Sequence, residues 1–128
     1  AKFTTEKLGV SRDQAYNFYK TYGTCLKGLL VEGIIDEAGV EVFLREVHDI
    51  DYGDIVADPE LRSVLEPIVR SKPTWIFTAS VREHAQRCLE AVGLADLPWR
   101  GIIDCRDCDL ETKHSHSSFE RAMRVAGA

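Results

Sequence analysis

Residues 75–79, Trp-Ile-Phe-Thr-Ala, form a short, almost unbroken apolar run directly after Lys72-Pro73. A strand buried on both faces reads this way, because helices cover both sides of a parallel sheet and neither face alternates with polar residues. Gly101-Ile102-Ile103-Asp104-Cys105 is a second such run. Helical patterns surround both. Asp58-Pro59 opens a helix with Pro in its first turn, Leu61, Val64, Leu65 and Ile68 form its apolar stripe, and Lys72-Pro73 ends it. Ser80 is expected to cap a helix through Val92, stopped by Gly93, with Ala85, Cys88, Leu89 and Val92 facing inward. A last helix runs from Ser115 to Ala126 with Phe119, Ala122, Met123 and Ala126 apolar. Helix, strand, helix, strand, helix is the order of a doubly wound α/β fold with strands 75–79 and 101–105 parallel. A buried parallel strand needs a neighbour on each side, and sheets usually hold three or more strands. Additional strands are therefore expected from absent sequence or from a partner.

The chain before residue 58 has a different period. Residues 2–8 read as the tail of a helix closed by Gly9. Ser11 is a helix N-cap, and Gln14 three residues on completes a capping box. Ala15, Phe18, Tyr19 and Tyr22 then fall on one face, and Gly23 breaks the pattern. Cys25, Leu26, Leu29 and Leu30 begin another stripe, ended by Gly33. Asp36 caps a fourth helix with Val40, Phe43, Leu44 and Val47 on one side, and residues 48–54 read as loop. The expected division is a helical module over 1–57 and an α/β module over 58–128. The four prolines, at 59, 67, 73 and 98, are each expected near an element boundary.

Charge and cysteine usage narrow the function. The net charge is −5, from 16 basic and 21 acidic residues. Non-specific nucleic-acid binding needs the opposite excess, so no nucleic-acid partner is expected. No apolar run approaches the roughly 20 residues of a membrane helix, and the opening residues carry no signal-peptide pattern. Four cysteines, at 25, 88, 105 and 108, are too few for a disulfide scaffold. Reduced thiols in the cytoplasm or an organelle interior are expected. Both ends of the 128 residues read as stopping in mid-structure.

Ligands of parallel α/β sheets bind beyond the C-terminal strand ends. Thr78 and Ser80 stand there. A hydroxyl beside helix N-terminal N–H groups makes a phosphate cradle, although Ser80 as a plain cap and Thr78 as a packing residue account for the same pattern. Lys113, after the second strand and before the last helix, would neutralise the same anion or lie as a solvated loop charge. Cys105, Cys108, His114 and His116 cluster in sequence, but the two histidines are too close together for usual zinc spacing, and Cys105 reads as a small core residue beside the strand. The aromatic stretch Tyr16 to Tyr22 is mostly explained by core packing. Its end, with Tyr19, Lys20, Tyr22 and Thr24, also offers a polar, aromatic lip to a ligand. His48 and His84 read as surface or capping residues rather than catalytic bases.

Leu8-Gly9-Val10, Tyr19-Lys-Thr-Tyr-Gly-Thr, Asp58-Pro-Glu-Leu-Arg, Trp75-Ile-Phe-Thr-Ala, Glu83-His-Ala-Gln-Arg-Cys-Leu, Val92-Gly-Leu-Ala-Asp and Gly101-Ile-Ile-Asp stand in series. This series resembles the pyrimidine 5′-nucleotidase-like branch of the haloacid dehalogenase (HAD) superfamily, of the type called suppressor of disruption of a transcription elongation factor. The resemblance covers nearly the whole chain. It implies a Rossmann-type core with a helical cap, so that 1–57 would be cap and 58–128 an incomplete core. It implies Thr78 as the phosphoryl-binding residue at a strand end, and Lys113, six residues before Phe119, as the lysine that offsets charge on nucleophile and phosphoryl group. His114 stands where the family pattern has Pro, and Ala79-Ser80 where it usually has Asn-Ala.

The family's nucleophilic Asp-x-Asp motif has no counterpart among these residues. Asp49 and Asp51 superficially offer one, but no strand precedes them and no Thr follows. The acidic pair that completes the family's Mg²⁺ site is also missing. The resemblance thus implies a piece of, or a derivative of, a Mg²⁺-dependent phosphatase of nucleoside monophosphates, inactive as the isolated chain and needing no cofactor alone. The other reading is a catalytically incomplete HAD-like subunit whose open sheet edge is covered by a protein partner.

Overall fold

The structure is a computed structural model, and it describes residues 2–128. The chain divides into two compact units. One is Ala1–Ile50 with Leu110–Thr112; the other is Asp51–Asp109 with Lys113–Ala128.

The first unit holds α1 (Lys2–Glu6), α2 (Arg12–Tyr22), α3 (Cys25–Val31) and α4 (Glu37–Val47). Its helices begin where short polar side chains accept otherwise unpartnered N–H groups. Ser11 and Gln14 form the reciprocal capping box, Thr24 accepts from the Lys27 amide, and Asp36 accepts from the Gly39 amide. Each such cap contributes about 1 kcal/mol. Gly23 ends α2 at φ +83°, a left-handed conformation that a side chain resists. Leu26, Leu29, Val40, Phe43 and Leu44 are buried, and Phe3 meets Phe43 edge-on with ring centroids 5.7 Å apart. α2 and α3 pack closely because Gly28 has no side chain: a Cβ there would stand 2.4 Å from the Phe18 Cβ. The segment Leu110–Thr112 belongs to this unit through a Lys27–Glu111 ion pair of 3.0 Å and through Thr112, which lies against Gly23. The helical stretch at the start is shorter than expected, ending at Glu6. Tyr19 departs from the expected inward stripe. It is exposed and stacks with exposed Tyr16, while Ala15, Phe18 and Tyr22 are half-buried.

The second unit holds α5 (Pro59–Ser71), β1 (Trp75–Phe77), α6 (Arg82–Val92), β2 (Gly101–Ile103) and α7 (His116–Ala126). β1 and β2 pair in parallel, with Trp75 opposite Gly101, Ile76 opposite Ile102 and Phe77 opposite Ile103. A parallel pair needs a crossover, and α6 supplies it. The class is α/β, mostly helical, with a small two-stranded parallel sheet among the described residues. Both strands are shorter than the expected 75–79 and 101–105, although the Thr78 amide still donates to the Ile103 carbonyl at 3.0 Å. One core cluster joins Val69, Leu94 and Leu97 with Leu65, Leu89, Val92 and Trp99. A second joins Ile103, Cys108 and Ala122 with Trp75, Phe77 and Ala126.

Three local expectations are overturned in this unit. Of the expected α5 stripe only Leu65 packs inward; Leu61, Val64 and Ile68 are 39%, 59% and 47% exposed, and Val69 is buried beside Leu65. The apolar stripe was broad enough to allow more than one inward face, and packing against Leu94 and Leu97 selects Val69. Pro67 lies inside α5 rather than at a boundary. The bond its ring removes would have gone to the carbonyl of Ser63; both residues are exposed, so water can serve that carbonyl. Ser80 does not cap α6. The N-cap position is Val81, which has no side-chain acceptor, and Asp104 takes over the role.

Candidate phosphate site

The candidate site grows from the C-terminal ends of the two strands. Thr78 follows β1 directly and is half-buried. Its Oγ1 accepts from the Ser80 amide at 3.1 Å, which folds the chain back toward α6 and leaves the hydroxyl hydrogen free to donate. The Ser80 carbonyl accepts from the Cys105 amide at 3.0 Å, tying the turn after β1 to the turn after β2. Lys113 lies half-buried three residues before α7, whose N-terminus is capped by Ser115. It makes no ion pair among the described residues. Phe119, in the first turns of α7, meets Phe77 edge-on at 5.7 Å. That contact sets the start of α7 over the end of β1 that carries Thr78.

Asp104, just past β2, dominates the electrostatics here and was not singled out from sequence. It is fully buried. Its Oδ2 accepts from the Arg82 amide at 3.0 Å, the Arg82 Nε at 3.3 Å and an Arg106 guanidinium nitrogen at 3.2 Å. Its Oδ1 accepts from the amides of Arg106 and Asp107. Asp107 answers by accepting from the Asp104 amide at 2.9 Å and from Arg82 at 3.0 Å. Burial pushes the Asp104 carboxyl up, but the Arg82 and Asp107 amides and the Arg82 guanidinium outweigh it and hold it below its ordinary value. The only sequence signal was an acid at the end of an apolar strand, and its partner lies 22 residues away.

The Asp104 carboxylate already occupies the first N–H of α6 and meets the positive end of its dipole. The expected cradle of free helix N–H groups beside Ser80 is therefore partly filled. That first N–H is not open to an anion bound near Thr78.

In the first unit, Lys20 stands over the Tyr16 ring at 5.0 Å, beside the Tyr16–Tyr19 stack. Tyr22 donates from its hydroxyl to Glu32 at 2.5 Å, and this bond pushes the phenol up from its ordinary value. Thr24 is engaged as the α3 cap. Tyr19 and Lys20 thus share an exposed aromatic and cationic patch, whereas Tyr22 and Thr24 have structural partners.

Mg²⁺ is the cation that the resemblance implies. Among the described residues, no three His, Cys, Asp or Glu side chains gather into a group that could hold a metal. Asp104 stands at a strand end, but two arginines and three backbone amides engage its carboxylate, and the arginines would repel a cation. The residues present do not fit a Mg²⁺ site. Nor do the cysteines and histidines of 105–116 assemble. Cys105 and Cys108 are buried, the Cys108 thiol donates to the Ser118 carbonyl, and exposed His116 pairs with Glu120.

No protein-family model matches the chain. Over 116 aligned residues, covering 82% of the chain, the sequence is 31% identical to Phosphate metabolism protein 8 of Saccharomyces cerevisiae. The chain spans about a third of that relative's length, 35%. The similarity links most of these residues to a protein named for phosphate metabolism.

Proposed function

We propose that the chain is part of, or derived from, a HAD-like phosphatase of nucleoside monophosphates, of the pyrimidine 5′-nucleotidase-like branch. Residues 1–57 would serve as helical cap and 58–128 as part of the α/β core. The observation that carries the reading is Thr78: a hydroxyl presented at the C-terminal end of a parallel strand, with Lys113 leading into the helix whose first turns pack on that strand end. The similarity to Phosphate metabolism protein 8 supports it. In this reading Thr78 donates to a phosphoryl oxygen, Lys113 offsets its charge and Ser80 lines the turn, while Tyr19, Lys20, Tyr22 and Thr24 are the candidate substrate-binding residues of the helical unit. Phosphoryl transfer also needs a nucleophile and a cation against developing charge. Thr78 and Lys113 supply neither, so the 128 residues alone bind without turnover.

A second reading has the chain as an accessory subunit of a larger assembly. The exposed apolar residues Leu61, Val64 and Ile68 of α5, and Phe119 and Met123 of α7, favour it, because faces of this kind are usually covered.

The test is a nuclear magnetic resonance titration of the 128-residue chain with uridine 5′-monophosphate, alongside an assay for phosphate release in Mg²⁺. The expected result is amide shifts at Thr78 and Ser80 that vanish in Lys113→Ala, and no released phosphate. Silence at Thr78 would overturn the phosphate site. Turnover that Lys113→Ala abolishes would overturn the claim of incompleteness.

A further inference from the structure

Outside the candidate phosphate site, the Cys88 thiol has an imidazole within hydrogen-bond reach. His84 and Cys88 are one turn apart on α6, and Cys88 Sγ lies 3.6 Å from His84 Nε2. The other ring nitrogen, Nδ1, is 2.6 Å from the Tyr52 hydroxyl. Tyr52 is held in turn by Arg87, whose guanidinium sits 4.4 Å from the centre of its ring. All four side chains belong to the second unit. The ring thus bridges a phenol and a thiol.

This order of groups has a definite chemistry. With Nδ1–H donating to the Tyr52 oxygen, Nε2 faces the thiol as an acceptor. The Tyr52 contact fixes the ring orientation, so Tyr52 is a positioning residue. A thiolate beside a protonated imidazole is the form in which cysteine attacks soft electrophiles. Cys105 and Cys108 are 6% and 1% exposed, and burial pushes the thiols of Cys25 and Cys108 up. Cys88 is half-buried, within reach of a small reagent.

We infer that Cys88, with His84 as its base and Tyr52 as positioning residue, is a thiol-modification site that takes low-molecular-weight disulfides. The Sγ proton passes to His84 Nε2. The Cys88 thiolate attacks one sulfur of the incoming disulfide, a new S–S bond forms, and the reagent's own S–S bond breaks. The departing thiolate takes the proton from His84 and leaves as a thiol. No oxidant beyond the disulfide is needed.

The test is incubation of the folded chain with glutathione disulfide, with adducts at each cysteine followed over time by peptide mass spectrometry. Cys88 should form its adduct about tenfold faster than Cys25, and His84→Gln should slow Cys88 by a similar factor while leaving Cys25 unchanged. Tyr52→Phe, which keeps the ring, should slow Cys88 severalfold. A general rise at all four cysteines in His84→Gln would mark loss of fold, and Tyr52→Phe then decides alone. The inference is overturned if Cys88 reacts no faster than Cys25, or if Tyr52→Phe reacts at the unsubstituted rate.

Discussion

Asp104 caps α6 from across the sheet: its Oδ2 accepts the backbone N–H of Arg82 at 3.0 Å. The same carboxylate holds the turn after β2 through the amides of Arg106 and Asp107. One fully buried side chain therefore fixes both loops at the strand ends where the candidate phosphate site lies. Replacing it with Ala leaves the amides of Arg82, Arg106 and Asp107 without their acceptor, while the partly exposed Arg82 and Arg106 guanidiniums keep Asp107 and Glu83. Asp104→Ala is expected to cost about 2 to 3 kcal/mol, for several lost hydrogen bonds to one carboxylate. Urea denaturation measures it, and a loss below about 1 kcal/mol would show that the network is dispensable.

The pH dependence follows from Asp104 and three further paired carboxylates. Glu66, beside Arg70, Glu83, held by its own backbone amide and Arg106, and Asp104 all lie below their ordinary values. Asp96, in a paired hydrogen bond with Arg62, is pulled down to about 2. A depressed carboxyl contributes stability that is present above its unfolded value and lost as pH falls through its folded value. Stability should thus hold from neutral pH to about 5, then decline from about pH 4 toward 2. Denaturation midpoints at pH 7, 5, 4 and 2.5 check this, and a steep loss already between pH 7 and 5 would point to other groups.

Gly28→Ala tests the packing of α2 on α3. Alanine normally favours a helix by up to about 1 kcal/mol over glycine. Here its Cβ would stand 2.4 Å from the Phe18 Cβ and 2.7 Å from the ring. Overpacking of this kind costs about 1 to 3 kcal/mol, so the net effect is expected to be destabilising. A raised thermal midpoint would show that α2 and α3 separate easily.

Ser115→Ala removes the acceptor for the Ser118 amide at the start of α7, a bond of 3.2 Å. The expected loss is about 1 kcal/mol. Lys113 lies two residues earlier, so the same variant should weaken nucleotide-induced shifts at Lys113 as the helix start frays. Titration of Ser115→Ala beside the unsubstituted chain reads both effects.

Local rules carried the sequence reading where the cause lay within four residues. Ser11 and Asp36 cap the helices they were expected to cap, the helices expected from Asp58-Pro59 and from Ser115 start there, and Gly23 and Gly93 stop theirs. The apolar runs after Pro73 and at Gly101 gave the two parallel strands, because a buried strand leaves a continuous signature. What failed was non-local. Nothing near Ser80 announces that an acid 22 residues downstream of Arg82 will take over the cap. The α5 stripe was legible as apolar, but which residues turn inward is settled by Leu94 and Leu97, which the helix's own sequence does not contain. Thr78 and Lys113 were legible as candidates, whereas the Asp104 network beside Thr78 became visible only once the strand ends were in place. Likewise His84 carries no hint of Tyr52, 32 residues earlier.

Leu110–Thr112 has a consequence for how the chain acquires its shape during synthesis. The first unit draws Glu111 and Thr112 from a stretch that leaves the ribosome some sixty residues after Ile50. Its four helices can form early, yet Lys27 must wait for its counter-ion until both strands of the other unit have been made. A nascent chain paused between residues 50 and 110 would hold the helices without this closing segment, a partly assembled state of the kind that domain-by-domain folding leaves open to chaperones.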